Sequence, residues 1–103
     1  MQWYRCVLYD CTANIMLTKR QKVNATRDVR RHDTDTGSPE YQIALFTQRI
    51  KKLTEHLKKN THDYHSRRGL LKMVSKRRRL MAYLKQRDEK AYKAITKKLG
   101  LKE

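Results

Sequence analysis

Ile43, Phe46, Ile50, Leu53 and Leu57 stand three, four, three and four residues apart. An α-helix turns about 100° per residue, so this spacing gathers five apolar side chains into one narrow seam. A seam of that kind has to be covered by another helix. Farther along, Leu70, Met73, Val74, Leu80, Met81 and Leu84 fall within one arc of a second long helix. The chain is therefore expected to be all-α, organised around a pair of long packed helices.

Polar punctuation sets the predicted boundaries. A weakly amphipathic first segment runs from about 17 to 31, with Leu17, Val23, Ala25 and Val29 as its thin apolar side. HDTDTGSPE (32–40) then breaks the pattern: Gly37 permits positive φ, Ser38 suits an N-cap and Pro39 the first helical position. Glu40 in the first turn complements the helix dipole. The second helix should end near Asn60, and Asp63 can cap a third over about 64–87. Asp88 can cap a short fourth, with Tyr92, Ile95 and Leu99 inward and Gly100-Leu101 as a glycine C-cap with its apolar clasp. Such short connections make neighbours antiparallel, so four helices are expected, three of them in an up-and-down bundle. Arg77 interrupts the apolar arc of the third helix. Either its stem packs while the head reaches solvent, or a carboxylate pairs with it.

Charge restricts function more than fold. The 103 residues hold 26 Lys and Arg against 10 Asp and Glu, a net charge of +16. One small domain with that balance repels itself and calls for a polyanion. Nucleic acid fits, because each phosphate contacted releases condensed counterions. An anionic membrane fits less well, since the basic residues are spread over several helices instead of backing one lipid-facing stripe. No stretch approaches the roughly 20 apolar residues of a membrane span.

Residues 1–15 differ from the rest. They hold the only Trp and both cysteines, Cys6 and Cys11, but one basic residue (Arg5) and one acidic (Asp10), so the remainder keeps the whole +16. Two readings stand: an appendage preceding a functional start at Met16, or an ordinary N-terminal arm. The opening MQWYRCVLYDCTANI lacks a continuous apolar core, so no secretory leader is expected. The cysteines are read as reduced thiols in a cytoplasmic protein.

Three chemistries compete for HDYHSRRGLL (62–71). His62 and His65 have ligand-like spacing, but a zinc site needs four grouped ligands, and no cysteine pair lies near. Ser66 beside His and Asp suggests a triad, yet all three lie on one element, whereas a triad converges from several around a pocket. No catalysis, metal or cofactor is expected. The third chemistry is nucleic-acid binding. His65, Arg68, Lys72, Lys76, Arg79, Tyr83 and Arg87 share an arc of about 100° on the third helix. A basic band containing an aromatic ring can cross a phosphate backbone and also pack on a sugar or base. On the second helix Gln42, Arg49 and His56 recur every seven residues as a polar stripe beside the seam. Asp63 and Ser66 lie on one face near His56. A carboxylate beside phosphates is tolerable where it accepts hydrogen bonds, and the RNA minor groove offers 2′-hydroxyls and the guanine amine. Capping a helix explains Asp63 equally well.

DTGSPEYQIALFTQRI, HDYHSRRGLLKMVSKRRRLMAYLK and ITKKLGLK resemble the bacterial family of small-subunit ribosomal protein fifteen, over about residues 17–103. The resemblance implies a four-helix fold whose first helix docks variably, and early, direct binding to the central domain of 16S ribosomal RNA. It implies that Thr36, Gly37, Gln42, Tyr83 and the basic positions near Arg87 hold a three-way junction. His56, Asp63 and Ser66 would read an adjacent duplex minor groove. Where many relatives carry arginine three residues after the junction tyrosine, this chain has Gln86, so Lys85 or Arg87 must substitute.

The expected function is that of a non-catalytic structural protein of the small ribosomal subunit, monomeric when free. Its expected partners are 16S ribosomal RNA, neighbouring small-subunit proteins and large-subunit RNA across the subunit interface. The expected contacts comprise Thr36, Gly37, Gln42, Arg49, His56, Asp63, Ser66, Arg68, Lys72, Tyr83 and Arg87. Two rivals are a helical DNA-binding protein with a helix in the major groove and a basic module for an acidic protein partner.

Overall fold

Each helix begins where a side chain satisfies backbone N–H groups that the helix itself leaves free. The computed structural model describes residues 16–101. Among them lie four helices and no strand: α1 (Lys19–Thr26), α2 (Pro39–Lys59), α3 (Tyr64–Arg87) and α4 (Glu89–Leu99). The appendage reading of residues 1–15 falls outside the described residues. Thr18 and Gln21 form a reciprocal capping box on α1, the Thr18 hydroxyl accepting from Gln21 N–H at 3.3 Å. Ser38 caps α2, with Pro39 in its first turn. Asp63 caps α3, and Asp88 both ends α3 and caps α4. Gly100 takes the left-handed conformation at φ 61°, where Leu101 N–H reaches the Thr96 carbonyl at 3.1 Å.

The α2–α3 hairpin is the frame, closed by the four residues 60–63. Ile43 and Leu84 meet Tyr92 and Ile95 in one buried cluster, which places the start of α2, the end of α3 and the whole of α4 together. At about 25 cal/mol per Å² of apolar surface, each large side chain buried there contributes roughly 1.5–3 kcal/mol. Lys98 Nζ donates to the Asp28 carbonyl at 2.9 Å, tying α4 to the loop after α1.

Two expectations need correction. The first helix is shorter than 17–31, and Val23 is 44% exposed while Thr26 is fully buried. The reason is that α1 docks by a different side: Leu17 is buried, Lys52 Nζ meets Gln21 Oε1 at 2.5 Å, and Arg30 lies over the Tyr41 ring. The N-terminus of α1 thus lies beside the middle of α2 and its C-terminus beside the start of α2. Buried threonines make this polar docking tolerable. Thr26, Thr47 and Thr96 each donate their hydroxyl to the carbonyl four residues back, at 2.7, 2.8 and 2.7 Å.

The second correction concerns Gly37, which does not adopt positive φ. The turn before α2 is shaped instead by the Asp35 carboxylate. It accepts from Ser38 N–H at 3.1 Å, the Ser38 hydroxyl at 2.6 Å and Arg31 N–H at 3.3 Å. Beside it Arg31 Nη2 meets Glu40 Oε1 at 2.7 Å.

Candidate nucleic-acid interface

The hairpin distributes the expected contact residues to its two ends. Because Ile43 and Leu84 share the core, Gln42 and Tyr83, each one residue earlier, belong to the same end. Thr36 and Gly37 are exposed in the loop there, and Gln42 Nε2 donates to the Gly37 carbonyl at 3.3 Å. Tyr83 is half-exposed, and Arg87 Nη1 donates to its hydroxyl at 2.8 Å with the guanidinium 6.0 Å from the ring centre. Of the two cations flanking Gln86, Arg87 stands at the tyrosine, whereas Lys85 lies over the Tyr92 ring.

At the other end the chain closes back on itself. Asp63 Oδ1 accepts from Ser66 N–H at 3.2 Å, and Oδ2 accepts from the Ser66 hydroxyl and from His56 Nε2 at 2.9 Å. A carboxylate only accepts, so Nε2 carries the hydrogen, and His56 Nδ1 pairs with the Asn60 amide at 3.3 Å. The Ser66 hydroxyl first, then the His56 ring and the Ser66 N–H, hold the Asp63 carboxyl down at about 2. It is thus a fixed anion near neutral pH. About four lone-pair sites serve a carboxylate, three are filled, and the Asp63 side chain remains 27% exposed. The His56 side chain is only 9% exposed and both its nitrogens are engaged within the protein. The acceptor capacity left over in this cluster is that of Asp63 and Ser66.

Between the two ends runs the band on α3. His65, Arg68, Lys72, Lys76, Arg79, Tyr83 and Arg87 are all exposed. Among the described residues none of its lysines or arginines forms an ion pair; the pairs present join Arg31 to Glu40, His56 to Asp63 and Lys93 to Glu89. Arg49, on α2, is half-buried. The result is a positive strip with a hydrogen-bonding cluster at each end, suited to an extended polyanion. No helix among the described residues is long and apolar enough to cross a membrane.

Three contributors escape a reading by charge and hydrophobicity: Asp35, Asn60 and the Arg31–Glu40 pair. Asp35 had a visible signal, since Asp35-Thr36-Gly37-Ser38 repeats the Asp-x-x-Ser spacing of Asp63-Tyr64-His65-Ser66. Asn60 had none, because its contact depends on how the 60–63 connection folds.

A slender helical hairpin with an exposed basic strip has the charge and length to lie along a polyanion. Comparison with known proteins makes this specific. Residues 20–102 match the family described as Ribosomal protein S15. The small ribosomal subunit protein uS15 of Carboxydothermus hydrogenoformans is 56% identical over 86 residues, covering 84% of this chain and 97% of that protein. The proteins of the same name from Roseiflexus sp. and Mycobacterium bovis are each 55% identical with the same coverage. The chain belongs to the ribosomal protein S15 family, structural constituents of the ribosome and not enzymes.

Proposed function

We propose that this protein, as part of the small subunit of the cytoplasmic ribosome, binds the central domain of 16S ribosomal RNA directly and early in assembly. One end of the hairpin, with Thr36, Gly37, Gln42, Tyr83 and Arg87, holds a three-way junction. The other end, with Asp63 and Ser66 positioned by His56, reads the minor groove of the neighbouring duplex. Arg68, Lys72 and Arg49 attach to phosphates between them. Fourteen residues separate Gln42 from His56 on α2. At 1.5 Å per residue that is about 21 Å, so one rigid rod sets the distance between two RNA sites. Binding then fixes the angle between RNA helices, on which neighbouring small-subunit proteins and, across the interface, large-subunit RNA can dock.

The observation carrying this reading is the exposed, ion-pair-free band on α3 that joins two preorganised hydrogen-bonding clusters. The test is competition between a folded three-way RNA junction and duplex DNA of equal length at one salt concentration. The junction is expected to win, with hydroxyl-radical protection at both the junction and the duplex. Equal affinity for DNA would favour a major-groove binder instead.

A further inference from the structure

A second basic surface lies on the far side of α3. Arg77, Arg78, Met81, Ala82 and Lys85 line an open groove with Tyr92 of α4 and Leu101 beyond it, about 540 Å³ in volume. At about 100° per residue, these α3 positions centre roughly 150° away from the band. The two basic edges therefore flank the apolar arc on opposite sides, and one straight duplex cannot lie along both.

Among the described residues that line the groove there are three cations and no carboxylate. Arg77 was expected either to snorkel or to find an acid. It does not pair with one: its Nε is buried with no hydrogen-bond partner, and no described carboxylate forms an ion pair with it. Burial first, and then the like charge of Arg78, lowers its pKa from the usual arginine value. A guanidinium stays protonated in proteins, so Arg77 brings a full positive charge to the groove wall with one internal donor unused, a costly arrangement. The other wall is apolar, from Met81, Ala82 and Leu101, and Lys85 Nζ sits 5.8 Å from the Tyr92 ring centre. Cations beside an apolar, aromatic-backed wall match a nucleotide, whose phosphate is anionic and whose sugar and base offer flat, weakly polar faces.

We infer that the groove between α3 and α4 seats one nucleotide of a single RNA strand, with its phosphate on Arg77, Arg78 and Lys85 and its sugar against Met81 and Leu101. This site is independent of the band and would let the protein grip a second RNA segment.

Nuclear magnetic resonance on the full chain separates this from the band, because the Arg77 Nε–H reports on the groove alone. Titration at constant ionic strength would use hexauridylate, uridine 5′-monophosphate, inorganic phosphate and hexaglutamate. Hexauridylate is expected to shift Arg77 Nε–H and the Leu101 methyls together, and to bind at least ten-fold more tightly than inorganic phosphate. Arg78→Gln with Lys85→Gln alters only exposed positions, so the fold should persist while that shift is lost; Lys72→Gln should leave it intact. An Arg77 signal unmoved by hexauridylate, or moved equally in the double variant, overturns the site. Equal affinity for inorganic phosphate overturns the nucleotide assignment, and equal affinity for hexaglutamate overturns the nucleic-acid one.

Discussion

Asp35-Thr36-Gly37-Ser38 and Asp63-Tyr64-His65-Ser66 use one local device in two places. In both, the aspartate accepts from the serine N–H and hydroxyl three residues on, and a third donor completes the set: Arg31 N–H for Asp35 and His56 Nε2 for Asp63. They differ in register and exposure. Asp63 is itself the cap of α3, whereas Asp35 stands one turn earlier and orients Ser38, the cap of α2. Asp35 is buried at 5%, while the Asp63 side chain keeps 27% of its surface. The same hydrogen bonds therefore make one carboxylate a structural pin and leave the other with an acceptor facing outward. The motif fixes geometry; burial decides whether that geometry is used internally or offered to a partner.

If that distinction holds, Asp35→Ala should damage the fold most. It would leave the Ser38 and Arg31 N–H groups and the Ser38 hydroxyl without their acceptor and release the cap of α2. A fall in thermal midpoint on the order of 10 °C is expected, measured by circular dichroism. RNA affinity per folded molecule should change less than stability does. A variant that melts like the native chain would show that the Asp35 turn carries no weight, and the comparison would fail.

Asp63→Ala should show the opposite balance. Losing the cap costs about 1 kcal/mol of stability. Losing acceptors to the groove should weaken binding of a three-way junction RNA by about 1–3 kcal/mol, and Ser66→Ala by a similar amount. Ser38→Ala is the matched control, expected to lower stability with little effect on binding. Circular dichroism and filter binding on the same samples separate the two columns. If Asp63→Ala loses only stability, its role is capping alone.

Acid titration sharpens the contrast further. An ordinary unfolded aspartate has a pKa of about 3.9, and folding holds Asp63 down at about 2. The folded chain thus takes up that proton less readily than the unfolded one. The stabilisation is complete above about pH 4 and is lost as pH falls towards 2. Asp35 is shifted in the same direction, chiefly by the Ser38 hydroxyl. Thermal midpoints measured from pH 5 to 2 should converge between the native chain and Asp63→Asn as the acid limit is approached. A difference that persists unchanged at pH 2 would remove the carboxylate charge from the explanation.

Which parts of this were legible beforehand follows from where the controlling interactions sit. Caps at Ser38, Asp63, Asp88 and Gly100 act within three or four residues, so local text suffices. The seam on α2 and the arc on α3 were legible for the same reason of periodicity, and so was the basic band. The docking of α1 was not, because Thr26 and Thr47 become core residues by bonding to their own helix backbone. A hydrophobicity reading instead turned Val23 inward. The hydrogen bonds of the His56 ring within the protein were not legible either. Its engagement by Asp63 and Asn60 depends on the path of four connecting residues, which spacing alone does not give.

The smallest expected effect tests the strip between the two motifs. Lys72 is exposed, forms no ion pair and lies a turn and a half beyond Ser66. Lys72→Gln removes one charge and no buried contact, so the thermal midpoint should be unchanged. On A-form RNA a lysine that neutralises one phosphate contributes about one unit to the dependence of log affinity on log salt. The slope should fall by that amount in Lys72→Gln and stay unaltered in Asp63→Ala, whose lost bonds involve no counterion release. That crossing of effects is what the two-part surface requires: hydrogen bonds insensitive to salt at the Asp63 end, and salt-dependent attachment along the basic strip.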